Sequence, residues 1–150
     1  MRDFGRCEER VRQEEIVRRE KRSRFVIRNP RQAWVRVIRI DNCVITEGPR
    51  CDFLFLAEGK GAEIYVELKG AAVARAIVQI EASIPQVSSD AGSAPKWCYI
   101  VCGHVSHPEL TTRIQLAKKR FRREYSAELT VKGKVAEHDL AGHPGPSGSR

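Results

Sequence analysis

Apolar and polar positions alternate over Trp34–Ile40, with Trp34, Arg36, Ile38 and Ile40 on one side and Val35, Val37 and Arg39 on the other. A period of two is the period of a β-strand, here continuing near Cys43–Ile45 after a kink at Asp41-Asn42. Glu47-Gly48-Pro49 is a turn. Cys51 to Leu56 is then almost continuously apolar, as expected of a strand covered on both faces. Glu58-Gly59-Lys60-Gly61 reads as a hairpin turn, and Ala62–Leu68 as the next strand. The period then lengthens. Val73, Ala76, Ile77, Ile80 and Ile84 form one face of a helix over Ala72–Ile84, closed by Pro85.

Ser88–Pro95 is a loop of small residues, Trp97–Val101 a strand, Glu109–Tyr125 a second long helix and Ala127–Val131 a last strand. Upstream, Cys7–Arg22 is rich in Glu and Arg and free of Gly and Pro, so it reads as a helix. Its apolar stripe (Phe4, Cys7, Val11) is thin. Asn29-Pro30 breaks it. Residues 1–30 are therefore expected as a charged helix and linker, 31–140 as an α/β domain, and 141–150 as a disordered tail without apolar residues to bury. Short turns join the early strands, so they pair antiparallel. The strand at Trp97 is reached through a helix, which implies a parallel crossover. The expected fold class is α/β, with a mixed central sheet flanked by helices.

Charge narrows the class of partner. The chain carries a formal +8, which favours polyanions. Much of it loads one helix: Arg113, Lys118, Lys119, Arg120, Arg122 and Arg123 precede the first acid, Glu124. Ile114, Ala117, Phe121 and Tyr125 anchor that helix, leaving the cations outward for phosphate contacts. The first residues lead into charge rather than an apolar run, so no secretory leader is expected. No stretch is long enough to span a bilayer. The five cysteines then read as mostly free, in a reducing cytoplasm.

Candidate chemistry lies on two neighbouring strands. Asp52 is a carboxylate inside Cys51–Leu56, where burial without a partner is costly. Glu67 and Lys69 lie two apart, on one face with Tyr65. If the strands pair across the Gly59 turn, Asp52 lies near Glu67. Two carboxylates that close repel unless a cation lies between them, and hard oxygen ligands suit Mg²⁺ or Mn²⁺. Such an ion lowers the pKa of a bound water, and Lys69 would orient that water or stabilise the phosphorane-like state. Cys98, Cys102, His104 and His107 mimic a zinc set. Cys98 and Cys102 are about 13 Å apart on one extended strand, so one tetrahedral ion cannot easily take both.

The Asp in an apolar strand, the Glu-x-Lys pair and the helix directly after it resemble the PD-(D/E)XK nuclease superfamily over roughly Trp34 to Val101. The resemblance implies a restriction-endonuclease-like αβββαβ core. It implies that Asp52 and Glu67 hold Mg²⁺ or Mn²⁺ with the Leu68 carbonyl, and that Lys69 is the catalytic lysine. Gln79 matches the Gln that some branches carry on the following helix, and Glu14 or Glu15 the acid that others recruit upstream. The nearest proline to Asp52 is Pro49, and no Tyr follows Gln79 in Ile80-Glu81-Ala82-Ser83. The implied function is metal-dependent hydrolysis of DNA, with a homodimer as one way to cut both strands. The alternatives are an inactive nucleic-acid-binding module of the same fold and an interaction protein whose basic face meets an acidic partner.

Overall fold

A computed structural model describes residues 2–68, 72–103 and 108–142. Six strands form the central sheet in the order β1 (Glu8–Val11), β4 (Val35–Arg39), β5 (Phe53–Ala57), β6 (Glu63–Leu68), β7 (Lys96–Cys102) and β8 (Ala127–Gly133). From β1 to β6 neighbours are antiparallel; β6, β7 and β8 are parallel. The two parallel crossovers run through α1 (Val73–Val87) and α2 (Pro108–Tyr125). A second sheet of three strands has the order β2 (Glu15–Glu20), β3 (Ser23–Arg28), β9 (Val135–Asp139). The fold is thus α/β with a mixed sheet and two helices, and among the described residues no helix is long and apolar enough to cross a membrane.

Strand alternation divides the core in two. Ile38, Leu54, Tyr65, Cys98, Ile100 and Leu129 face α1 and α2. Val37, Phe55, Val66, Leu68, Tyr99 and Val101 face the small sheet, where Phe25, Ile27 and Ile16 meet them. The Phe25 ring lies 5.6 Å from Phe55 and 5.0 Å from Tyr99. Both helices therefore cover one face of the central sheet, and a sheet covers the other.

The expected helix over Cys7–Arg22 is not formed. Glu8–Val11 pairs with β4, and Glu15–Glu20 pairs with β3 across Lys21-Arg22. Helical propensity in a Glu/Arg-rich stretch is worth tenths of a kcal/mol per residue, and tertiary pairing overrides it. Ile16 alone needs burial on β2, and Arg18 pairs with Glu9 at 2.6 Å. The first helix of the expected restriction-endonuclease-like αβββαβ core is accordingly absent among the described residues. Two further strands, β3 and β9, were not expected. At their turns the residues in the left-handed conformation are not glycines: Lys21 and Lys134 take φ of 52° and 66°.

Other expectations shift more mildly. Pro85 lies inside α1, which ends at Ser88, whose amide donates to the Ile84 carbonyl at 3.0 Å. Proline's fixed φ is helical, but it gives up the amide that would bond the Glu81 carbonyl and its ring crowds that carbonyl, a cost that α1 absorbs in its last turn. Cys43–Ile45 is a turn joined to Asp41 by a single bridge rather than a continued strand. Cys7 and Cys43 form a disulfide, tying the N-terminal segment to this turn, while Cys51, Cys98 and Cys102 are free and buried. Of the expected tail, residues 143–150 lie outside the described residues.

Buried charge fixes one end of the central sheet. The Glu63 carboxylate accepts from the Tyr65 and Ser88 hydroxyls and from the Ser89 amide and hydroxyl, all at 2.8–2.9 Å. Beside it in register, Lys96 is fully buried, and its ammonium donates to the carbonyls of Asp90, Ala94 and Tyr125. Burial pulls the Lys96 pKa down, partly opposed by Glu63. Lys96→Met would leave Glu63 buried without its cation and three carbonyls without a donor. A loss of about 3–5 kcal/mol in urea unfolding is expected. Phe25→Ala should cost about 3–5 kcal/mol, and a change under about 1 kcal/mol in either variant would contradict these roles.

Candidate functional site

Asp52 sits at a bend just before β5 and is only 6 % exposed. Its amide donates to the Val66 carbonyl at 3.1 Å, and its Oδ2 accepts from the Leu68 amide at 2.7 Å. Asp52 therefore bonds the backbone on both sides of Glu67. Its own carbonyl accepts from the Ile40 amide at 2.9 Å, joining the end of β4 to the same point. Glu67 is completely buried and, by strand alternation, shares the helix-facing side with Tyr65. The expected closeness of Asp52 and Glu67 is present. The buried Cys51 thiol senses both, its pKa driven up first by burial and further by the two carboxylates, with the Ser83 hydrogen bond opposing.

This cluster lies at the carboxyl end of β6. Open α/β sheets bind ligands at the carboxyl ends of their parallel strands. Lys69, Gly70 and Ala71 fall outside the described residues, as do His104 and His107. The side chains of Asp52 and Glu67 offer hard carboxylate oxygens. Magnesium is often held by one or two carboxylates and completed by water and phosphate oxygens. No group of three or more His, Cys, Asp or Glu residues able to hold a metal occurs among the described residues. Cys98 and Cys102 belong to the core beneath the helices, and the Cys102 thiol donates to the Lys132 carbonyl at 3.3 Å.

Gln79 has a positioning role in this geometry. Its side-chain amide donates to the Arg50 carbonyl at 3.1 Å. One turn later, the Ser83 hydroxyl donates to the Gln79 carbonyl and accepts from the Cys51 amide, both at 2.8 Å. Helix α1 thus grips residues 50 and 51 and sets the backbone that carries Asp52. Glu15, an upstream acid expected near the site, instead pairs with Arg28 in the small sheet, and Arg28 also bonds Glu137 at 3.0 Å.

Asp52 borders a cleft of about 500 Å³, lined also by Glu8, Arg18, Glu20, Arg39 and Asp41. Sequence reading missed these residues, although Asp41 lies two residues beyond β4 at the same sheet end. Asp41 pairs with Arg50 at 2.7 Å. Across the molecule, α2 exposes Arg113, Lys119 and Arg123, with Lys118 half-buried, and none of these four makes an ion pair among the described residues. Arg120 and Arg122 differ from that expectation. Arg120 makes a two-pronged contact with Glu81 at 2.7 and 2.9 Å, which raises its pKa. Arg122 bonds Glu128 at 3.1 Å.

Glu8 gives the cleft a pH dependence. Its carboxylate accepts from Arg36 at 2.6 and 2.7 Å and from the Phe4 amide at 3.0 Å. The Arg36 hydrogen bond is the largest influence and holds its pKa below the usual carboxylate range. A depressed folded-state pKa contributes stability above the unfolded-state value, and that contribution is lost as pH falls through the folded value. The melting temperature of Glu8→Gln should therefore lie below wild type at pH 7, and the gap should close at strongly acid pH. A gap unchanged with pH would contradict the assignment. Comparison with protein-family models, with curated proteins and with solved structures finds no match for this chain.

Proposed function

We propose that this protein is a metal-dependent nuclease of the PD-(D/E)XK type, hydrolysing phosphodiester bonds in DNA. The observation that carries the reading is the joining of Asp52 to the backbone on both sides of Glu67, at the carboxyl end of a parallel strand. Asp52, Glu67 and the Leu68 carbonyl would hold Mg²⁺ or Mn²⁺. The ion supplies Lewis-acid shielding of phosphate charge and a more acidic water. Lys69, immediately beyond β6, would orient that water and neutralise charge developing on the phosphate. Ser83 and Gln79 hold the chain entering Asp52, so the carboxylate is set before substrate arrives. The exposed cations Arg113, Lys119 and Arg123 would contact the DNA backbone without reading sequence.

A second reading has an observation in its favour. Glu67 is 0 % exposed, and a carboxylate closed from solvent suits a structural role in a DNA-binding module without turnover. Cleavage of supercoiled plasmid and of single-stranded DNA in Mg²⁺ or Mn²⁺ separates the two. The nuclease reading expects metal-dependent nicking, lowered about 10²-fold or more in Asp52→Ala and Lys69→Ala. Both variants should keep wild-type circular dichroism. A folded wild-type protein that binds DNA in a salt-dependent manner without cutting it would establish the module instead.

A further inference from the structure

Among the described residues, two large apolar side chains stand more than half exposed: Val78 on α1, at 51 %, and Leu116 on α2, at 59 %. Single exposed leucines and valines need no explanation. These two line the same groove between the helices, about 430 Å³ in volume. Its floor is Ile77 and Ala117, both buried core residues. The exposed pair thus continues the core outward along a channel between two helices.

The rim is positive. Arg113 lies in the groove wall, and Arg75 and Lys119 lie one turn from Val78 and Leu116; all three are exposed, with no ion pair among the described residues. No residue lining the groove is acidic. The nearby acid Glu81 is already held by Arg120 and accepts from the Tyr125 hydroxyl at 3.3 Å. A second copy docked here about a two-fold axis would set the same cations against each other, which is costly. Phosphate contacts would use the arginines and lysines but gain nothing from the leucine and valine between them. The apolar centre and cationic rim match a helix with an apolar stripe and acidic flanks, laid into the groove between helices.

We infer that the α1–α2 groove docks an acidic amphipathic segment of a partner protein. The test uses a random-peptide library displayed on phage and selected on the full chain. Enriched peptides are then synthesised, labelled and titrated by fluorescence anisotropy. The expected peptides carry Glu or Asp beside apolar residues at helical spacing. Leu116→Asp should weaken their binding by about tenfold or more, and Arg113→Glu should weaken it and flatten its salt dependence. Because Leu116 is exposed, its variant should keep the wild-type melting temperature. Several results would overturn the inference. These are no enrichment, enriched peptides without acids, or peptides that bind Leu116→Asp as well as wild type. A short DNA duplex that loses affinity on Leu116→Asp would reassign the groove to nucleic acid. A sedimenting dimer split by the same change would reassign it to self-association.

Discussion

The central strands of this protein have no polar face. β6 is buried at every position from Glu63 to Leu68, and β7 at every position but one. Such strands can exist in water only if both faces of the sheet are covered. Two crossover helices cover one face. The other is closed by a hairpin from near the start of the chain and by the strand β9 near the end of the described residues, which pairs parallel to β3 from Arg24 to Arg28. The aromatic contact of Phe25 with Phe55 and Tyr99 is the hinge point of this closure, joining residues far apart in sequence into one layer. Everything at the candidate site is held in place by that double coverage.

Burial on both faces makes the charges on β6 informative. Glu63 and Glu67 lie on the same side of one strand, four residues apart. Glu63 accepts four hydrogen bonds and lies beside the buried Lys96 ammonium, so it fastens the loop before β7 to the strand ends. Its environment is complete, as a buried carboxylate requires. Glu67 occupies the opposite end, where Asp52 and the end of β4 meet it. Both ends pay desolvation, and the Glu67 end borders a cleft through Asp52.

The basic helix divides similarly once its neighbours are known. Six cations look equivalent along α2, yet Arg120 and Arg122 are engaged with Glu81 and Glu128. The Arg120–Glu81 pair joins the two helices and leaves a groove beside it. The cations not so engaged, Arg113 and Lys119 among them, flank exposed apolar side chains as well as open solvent. One helix thereby offers a polar outer arc suited to phosphates and an inner arc suited to an apolar partner.

Local pattern by itself determined the middle of the molecule. Period-two alternation fixed β4 and β6 with their facing, an almost continuous apolar run fixed β5, the Gly59 turn fixed an antiparallel pair, and the Val73–Ile84 stripe fixed α1 and the parallel step to β7. The same logic brought Asp52 close to Glu67, because register follows from a short turn and strand alternation. Only the tertiary structure decided the N-terminal region. There β1 and β2 are charged on both faces, the residues that turn left-handed are Lys21 and Lys134 rather than glycines, and β1 and β3 find partners, β4 and β9, remote in sequence. Only the tertiary structure, too, decided which charges are occupied: Arg120, Gln79 and Glu15 each find a partner 13 to 39 residues away. Periodicity records what a residue does with its near neighbours, and long-range pairing of polar groups leaves no period to read.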